Sequence, residues 1–186
     1  MPAPTPSQTV GPFYGYALPF AKGGELAPPG DPRTITLHGY VLDGAGQPIP
    51  DALLEFWQAA PDGSRTGAPG SLRRDPTTGA VIGRDGVAFT GFGRVPTDAD
   101  GHYALRTLPP GGSPYISVCV FARGLLHHLF TRAYLTEPDA DPLLDSLEPR
   151  DRDTLIAIPE RDGVYRFDIR LQGDENNEET VFLAFD

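Results

Sequence analysis

The chain of 186 residues carries a single cysteine, Cys119, so no intrachain disulfide is possible. That removes the covalent staple on which small secreted domains depend. Long apolar runs are missing too: none approaches the roughly 20 residues that a membrane span requires. The start, Met1-Pro2-Ala3-Pro4-Thr5-Pro6, has neither the basic flank nor the apolar stretch of a secretory signal. A cytoplasmic location is therefore expected. Positive charge is scarce, with 15 Lys and Arg against 25 Asp and Glu, for a formal net charge of −10. Such a surface repels phosphate backbones and anionic lipid, which argues against nucleic acid and membrane as partners. A small anion can bind only where local positive groups override that field.

Also absent are a P-loop, a dinucleotide fingerprint, a zinc motif and a nucleophile elbow. Gly91-Phe92-Gly93 lies inside a strand pattern with no helix after it, which reads as a close backbone contact or bulge rather than a phosphate cradle. Among the four histidines no pair stands at i, i+2, the spacing that places two rings on one face of a strand. His127 and His128 are adjacent and would point to opposite faces. His38 and His102 read as surface or hydrogen-bonded side chains. The acidic runs at 136–153 and 174–179 read as solvated loops.

What is abundant is turn chemistry: 22 glycines and 21 prolines, set between short apolar stretches. Residues 1–33 are rich in Pro and Gly but carry Phe13, Tyr14, Tyr16 and Phe20. Rings order chain by being buried, so this segment is expected to be an arm lying on its own domain or on a neighbour. Strands are expected at Thr34–Leu42, Ala52–Gln58, Phe89–Val95, His102–Thr107, Tyr115–Phe121, Leu125–Leu135, Thr154–Ile158, Val164–Leu171 and Thr180–Phe185. Residues 64–88 read as an irregular excursion, and 136–150 as a loop with one helical turn. Many short strands without a long helical period predict an all-β, single-domain sandwich over 34–186, with 1–33 as part of the same fold unit.

Several stretches carry a resemblance. Thr5-Pro6-Ser7-Gln8-Thr9-Val10-Gly11-Pro12-Phe13 is similar to the amino-terminal arm of intradiol ring-cleavage dioxygenases. Gly39–Asp43, Pro48–Ala52 and Leu54-Glu55-Phe56-Trp57-Gln58-Ala59 resemble that family's first core hairpin. Phe121-Ala122-Arg123-Gly124, Thr131–Tyr134 and Tyr165–Gly173 with Glu179–Phe182 resemble the family's subunits of α type. Such a fold is prealbumin-like. The family holds a non-haem Fe(3+) ion with two tyrosinates and two histidines, hard oxygen donors beside imidazole. The matching positions here hold Arg65, Tyr115 and Ser117, and the loop bearing the second tyrosine is shortened to Pro109–Ser113. The resemblance thus implies that this chain ligates no metal, and that the iron sits in a partner β subunit of a hetero-oligomer. It implies a small aromatic acid and O2 as substrates. It also implies a pocket wall made here by Thr9, Gly11, Pro12 and Arg123. From the residues alone, Arg123 reads rather as a structural ion pair within the sandwich, and the resemblance turns the reading toward the pocket wall. The competing readings are a metal-free binding or structural sandwich and a self-sufficient iron enzyme. The vacant ligand positions oppose the latter.

Overall fold

The computed structural model describes residues 11, 13–68, 71–173 and 178–185. Alternation builds the two main sheets. Strand β1 (Ile35–Leu42) buries every second residue, so Ile35, Leu37 and Val41 face inward. Strand β6 (His102–Thr107) pairs antiparallel with it, Leu37 opposite Leu105 and Gly39 opposite Tyr103. On its other edge β1 runs parallel first to β10 (Val164–Arg166) and then to β11 (Ile169–Arg170). Strand β9 (Ile158–Arg161) completes this sheet beside β10. The second sheet is antiparallel throughout, in the order β5 (Phe92–Pro96), β2 (Leu53–Trp57), β7 (Tyr115–Phe121), β8 (Leu129–Tyr134).

The inner faces meet in one core that includes Leu37, Phe56, Tyr103, Leu105, Ile116, Val118 and Phe167. Burying a side chain of this size is worth about 1.5–3 kcal/mol, so these faces dominate the fold's stability. Strand β7 shows the consequence for function. Ile116, Val118 and Val120 enter the core, which forces Tyr115, Ser117 and Cys119 onto the outer face.

The expected all-β sandwich is what forms, with local corrections. The excursion 64–88 contains a hairpin, β3 (Leu72–Arg74) with β4 (Val81–Arg84), closed by a turn in which Asp75 accepts the backbone N–H of Thr77 and Thr78. The expected strand Val164–Leu171 is interrupted at Phe167-Asp168. There the Phe167 carbonyl accepts the Tyr103 hydroxyl at 2.6 Å, and the Asp168 carboxylate accepts the Tyr40 N–H at 3.0 Å. A Cβ on Gly39 would lie 2.0 Å from that same carbonyl, so glycine is required for the crossing. Thr154–Ile158 is not a strand: the chain turns after α2 (Pro149–Asp153), and Ile156 makes a lone bridge to Tyr134. Thr180–Phe185 likewise makes only one bridge, Leu183 to Phe130.

The described part of the arm lies on its own sandwich from Phe20 onward. Leu26, buried, donates its N–H to the Arg106 carbonyl at 2.8 Å, and Arg94 donates to the Gly23 carbonyl at 3.0 Å. Residues 23–27 thus bridge β5 of one sheet and β6 of the other. Before them, the short helix α1 (Tyr14–Ala17) anchors through Tyr14. Among the described residues no helix is long and apolar enough to cross a membrane.

Candidate functional site

At one corner of the sandwich, β7 runs out into Ala122 and Arg123 before Gly124 turns the chain at φ +96°. Ala122 is buried, which fixes where the next side chain can reach. The Arg123 Nε–H donates to Asp51 Oδ2 at 2.6 Å, and one terminal nitrogen forms an ion pair with the same oxygen. Asp51 stands just before β2, where Thr97 Oγ1 accepts the N–H of Ala52 at 3.0 Å and donates to the Ile49 carbonyl at 2.8 Å. The Tyr14 hydroxyl donates to the Asp51 backbone carbonyl, which ties the arm to this corner. Burial pushes the Tyr14 phenol above its ordinary 10.0, and the Asp51 charge pushes it the same way, against a smaller opposing effect of Arg123.

Arm and corner together line a cleft of about 420 Å³ that includes Phe13, Tyr14, Tyr16, Asp51, Thr97 and Arg123. Its rim is unusual for an acidic protein. The Arg123 side chain is 72% exposed, beside Phe13 at 74% and Tyr16 at 86% exposure. Gly11 is exposed, and a Cβ added there would meet no described residue within 4 Å. Thr9 and Pro12, expected beside it, lie outside the described residues. The two readings of Arg123 are therefore not exclusive: it is ion-paired on one edge and open to solvent on the other.

A second cleft gathers the positions where the family resemblance would put a metal. Backbone contacts build it. The turn 60–64 closes through Gly63 N–H to Ala60 O at 2.8 Å, and Gly111 N–H donates to the same carbonyl at 3.1 Å. Gly111 has no room for a side chain, since a Cβ would lie 2.1 Å from the Pro61 carbonyl. The loops 60–65 and 109–113 are thereby held together, and Arg65 donates to Ser113 Oγ at 2.6 Å. Tyr115 and Ser117, two apart on the outer face of β7, line the same cleft of about 120 Å³ with Trp57 and Arg65.

The donor set does not fit a ferric ion. A guanidinium is cationic and has no lone pair to give. Serine hydroxyls are neutral, and only one phenol is at hand, with the Arg132 guanidinium 4.0 Å from its ring centroid. Among the described residues no three His, Cys, Asp or Glu side chains are arranged to hold a metal ion. His38 and His102 meet each other instead. Their Nδ1 and Nε2 atoms lie 3.2 Å apart, and the outer nitrogen of His38 is 2.9 Å from Glu160.

A family model described as "Dioxygenase" matches residues 10–122. The protocatechuate 3,4-dioxygenase alpha chain of Burkholderia cepacia is 39% identical over 204 residues, covering 96% of each chain. The chain belongs to the intradiol ring-cleavage dioxygenase family. The corresponding beta chain of the same organism is less similar, at 30% identity over 75% of this chain and 64% of its own length. Among solved structures, the dioxygenase domain of a carbohydrate-binding fusion protein from Streptomyces sp. SirexAA-E superposes with a TM-score of 0.55. It is 27% identical, over 92% of this chain and all of that domain. Members of this family are Fe(3+)-dependent oxidoreductases.

Sequence reasoning placed Arg65, Tyr115 and Ser117 at one locus, and the structure brings them into one cleft. It missed Asp51 as the partner of Arg123. The signal for it is weak, since Asp51 is one carboxylate among 25 acidic residues. It also missed the tie from Tyr14, whose partner is a backbone atom without sequence identity.

Proposed function

We propose that this chain is the non-iron-binding α subunit of a protocatechuate 3,4-dioxygenase. It works with an iron-bearing β subunit, in the cytoplasm, to convert protocatechuate and O2 to 3-carboxy-cis,cis-muconate. The observation that carries this reading is the end-to-end similarity to an alpha chain; it is supported by Arg65 standing where the resemblance puts a ligand tyrosine. No chemical step is assigned to this chain's own residues, because none of them fits the metal.

What this chain supplies is the wall of the partner's substrate pocket. Arg123 presents a positive charge on a chain of net charge −10, where a substrate carboxylate would otherwise be repelled. Asp51 holds one edge of the guanidinium, so the free edge has a set direction and less rotamer entropy is lost on binding. Among the described residues nothing near Gly11 demands a glycine, which suits a backbone lying close against another molecule. The family resemblance assigns Thr9 and Pro12, which lie outside the described residues, to the same wall. The exposed Phe13 and Tyr16 rings are large apolar surface awaiting cover, as an interface core is. The arm 1–33 and the sandwich 34–186 act here as one unit.

The test is expression of this chain alone and together with a β subunit, with iron content and oxygen uptake measured on each purified product. Both signals are expected only on co-expression. Stoichiometric iron in the isolated chain overturns the reading. So does a chain that neither binds the β subunit nor alters its activity, which is the behaviour of an independent binding module.

A further inference from the structure

A further apolar hollow lies on the other side of Trp57, and neither the family assignment nor the pocket wall accounts for it. Its volume is about 390 Å³, within the range of small-molecule sites. Trp57 and Phe92 form one side, neighbours across β2 and β5 with ring centroids 6.4 Å apart. The β3–β4 hairpin forms the other, with Leu72, Arg74 and Arg84. Gly67, at φ +66°, lets the 64–68 loop pass close: a Cβ there would come within 3.4 Å of the indole edge.

The polar lining has one sign. Thr66, Ser71 and Thr90 bring hydroxyls, Arg74 and Arg84 bring guanidinium groups, and among the described residues no carboxylate lines the hollow. Arg84 is buried, with only 6% of its surface exposed. It donates to the Phe92 carbonyl at 2.6 Å, to the Glu25 carbonyl at 3.1 Å, and to Thr90 Oγ1. Its Nε finds no partner among the described residues. It forms no ion pair with them either, and burial lowers its pKa against the weaker opposing pull of Asp85 and Glu25. A desolvated cation held only by neutral acceptors is a costly arrangement that a bound anion relieves. Arg74, exposed at the mouth, donates one N–H to the Gly79 carbonyl at 2.9 Å and pairs with no described carboxylate.

We infer that this hollow binds a small planar aromatic carboxylate, its ring against Trp57 and Phe92 and its charge toward Arg74 and Arg84. Apolar walls alone would accept any flat molecule. The pair of guanidiniums selects an anion, on a protein whose overall field repels anions. Arg84 is fixed by the backbone and sets the charge of the floor. Arg74 is the adjustable contact at the entrance.

Trp57 is the sole tryptophan, so its emission reports this hollow in the isolated full chain. Benzoate is the probe, and benzamide is its neutral analogue of the same shape. Benzoate is expected to change the emission saturably, and benzamide to require at least about tenfold higher concentration. Arg74→Gln, at an exposed position that leaves the fold intact, is expected to weaken benzoate about tenfold through loss of a charge-assisted hydrogen bond. Equal responses to benzoate and benzamide overturn the inference, as does an unchanged benzoate affinity in Arg74→Gln. A second measurement applies to the chain in complex with its partner. Benzoate, and not benzamide, is expected to slow modification of Arg74 by phenylglyoxal, followed on the peptide that carries it. Absence of that protection likewise refutes the site. Neither measurement needs iron or ring cleavage, so their failure and that of the α-subunit reading remain distinguishable.

Discussion

Replacing Arg123 by alanine in the assembled enzyme separates a structural ion pair from a substrate contact. The pair with Asp51 is largely solvated, since the arginine side chain is 72% exposed and that of Asp51 29%. Pairs of this kind contribute about 0–1 kcal/mol to folding. In a domain of this size such a loss moves the melting temperature by only about 2–4 °C. A hydrogen bond from the guanidinium to a substrate carboxylate is worth more, about 1.5–3 kcal/mol. Its removal should raise KM by about 10-fold to 150-fold, with kcat nearly unchanged, because the contact exists equally in ground and transition states. The assay is steady-state oxygen uptake by the complex over a range of protocatechuate concentrations, with iron content and thermal melting measured in parallel. Asp51→Asn serves as the companion variant. It keeps the backbone carbonyl that accepts from Tyr14 and loosens only the grip on Arg123, so KM should rise in the same direction but less. An unchanged KM in Arg123→Ala with a normal melting curve would refute the pocket-wall role. A marked loss of iron would show instead that the corner supports the partner's metal site.

Two further outcomes follow from buried groups. Burial, with the nearby Glu55 charge, pushes the Cys119 thiol from 9.0 to about 12. The folded chain should therefore resist alkylation by iodoacetamide near pH 9 and react only on unfolding, as mass spectrometry would record. Because the folded pKa is raised, this group's contribution to stability is complete below pH 9.0 and is lost as pH climbs from there toward about 12. Rapid alkylation of native protein near pH 9 would contradict this. Tyr103→Phe leaves the Phe167 carbonyl without its hydroxyl donor inside the core, where both residues are almost fully buried. A loss of about 1–3 kcal/mol is expected in urea unfolding, and a loss near zero would mean that the carbonyl finds another donor.

How far the fold could be read from sequence depended on whether a strand has a dry face. His102–Thr107 and Tyr115–Phe121 were legible to the residue, because alternation or apolarity runs their full length. The β3–β4 hairpin was not. Its residues are mostly exposed or half-buried, so no periodicity marks it. Thr180–Phe185 has strand composition, yet it finds a partner only at Leu183, because a strand needs an open edge as well as suitable residues. That Arg65, Tyr115 and Ser117 belong to one locus was readable from the resemblance, and they line one cleft. The ion pair of Arg123 and the burial of Arg84 were not readable. Both depend on which chain segments meet across the fold, and one sequence without that geometry does not say which of 25 carboxylates stands opposite an arginine.

The crossing at Gly39 also sets the order in which this chain can be made. Tyr40 must wait for Asp168, 128 residues later, before its N–H is satisfied. Until β10 and β11 have left the ribosome, one edge of β1 stays open as a template for wrong pairings. Contacts of such sequence separation form slowly, because the loop-closure entropy must be met before they repay it. A chain lacking β10 and β11 is therefore expected to be more prone to wrong pairing than the full chain. A nascent chain held just short of residue 164 would be the species most prone to aggregate.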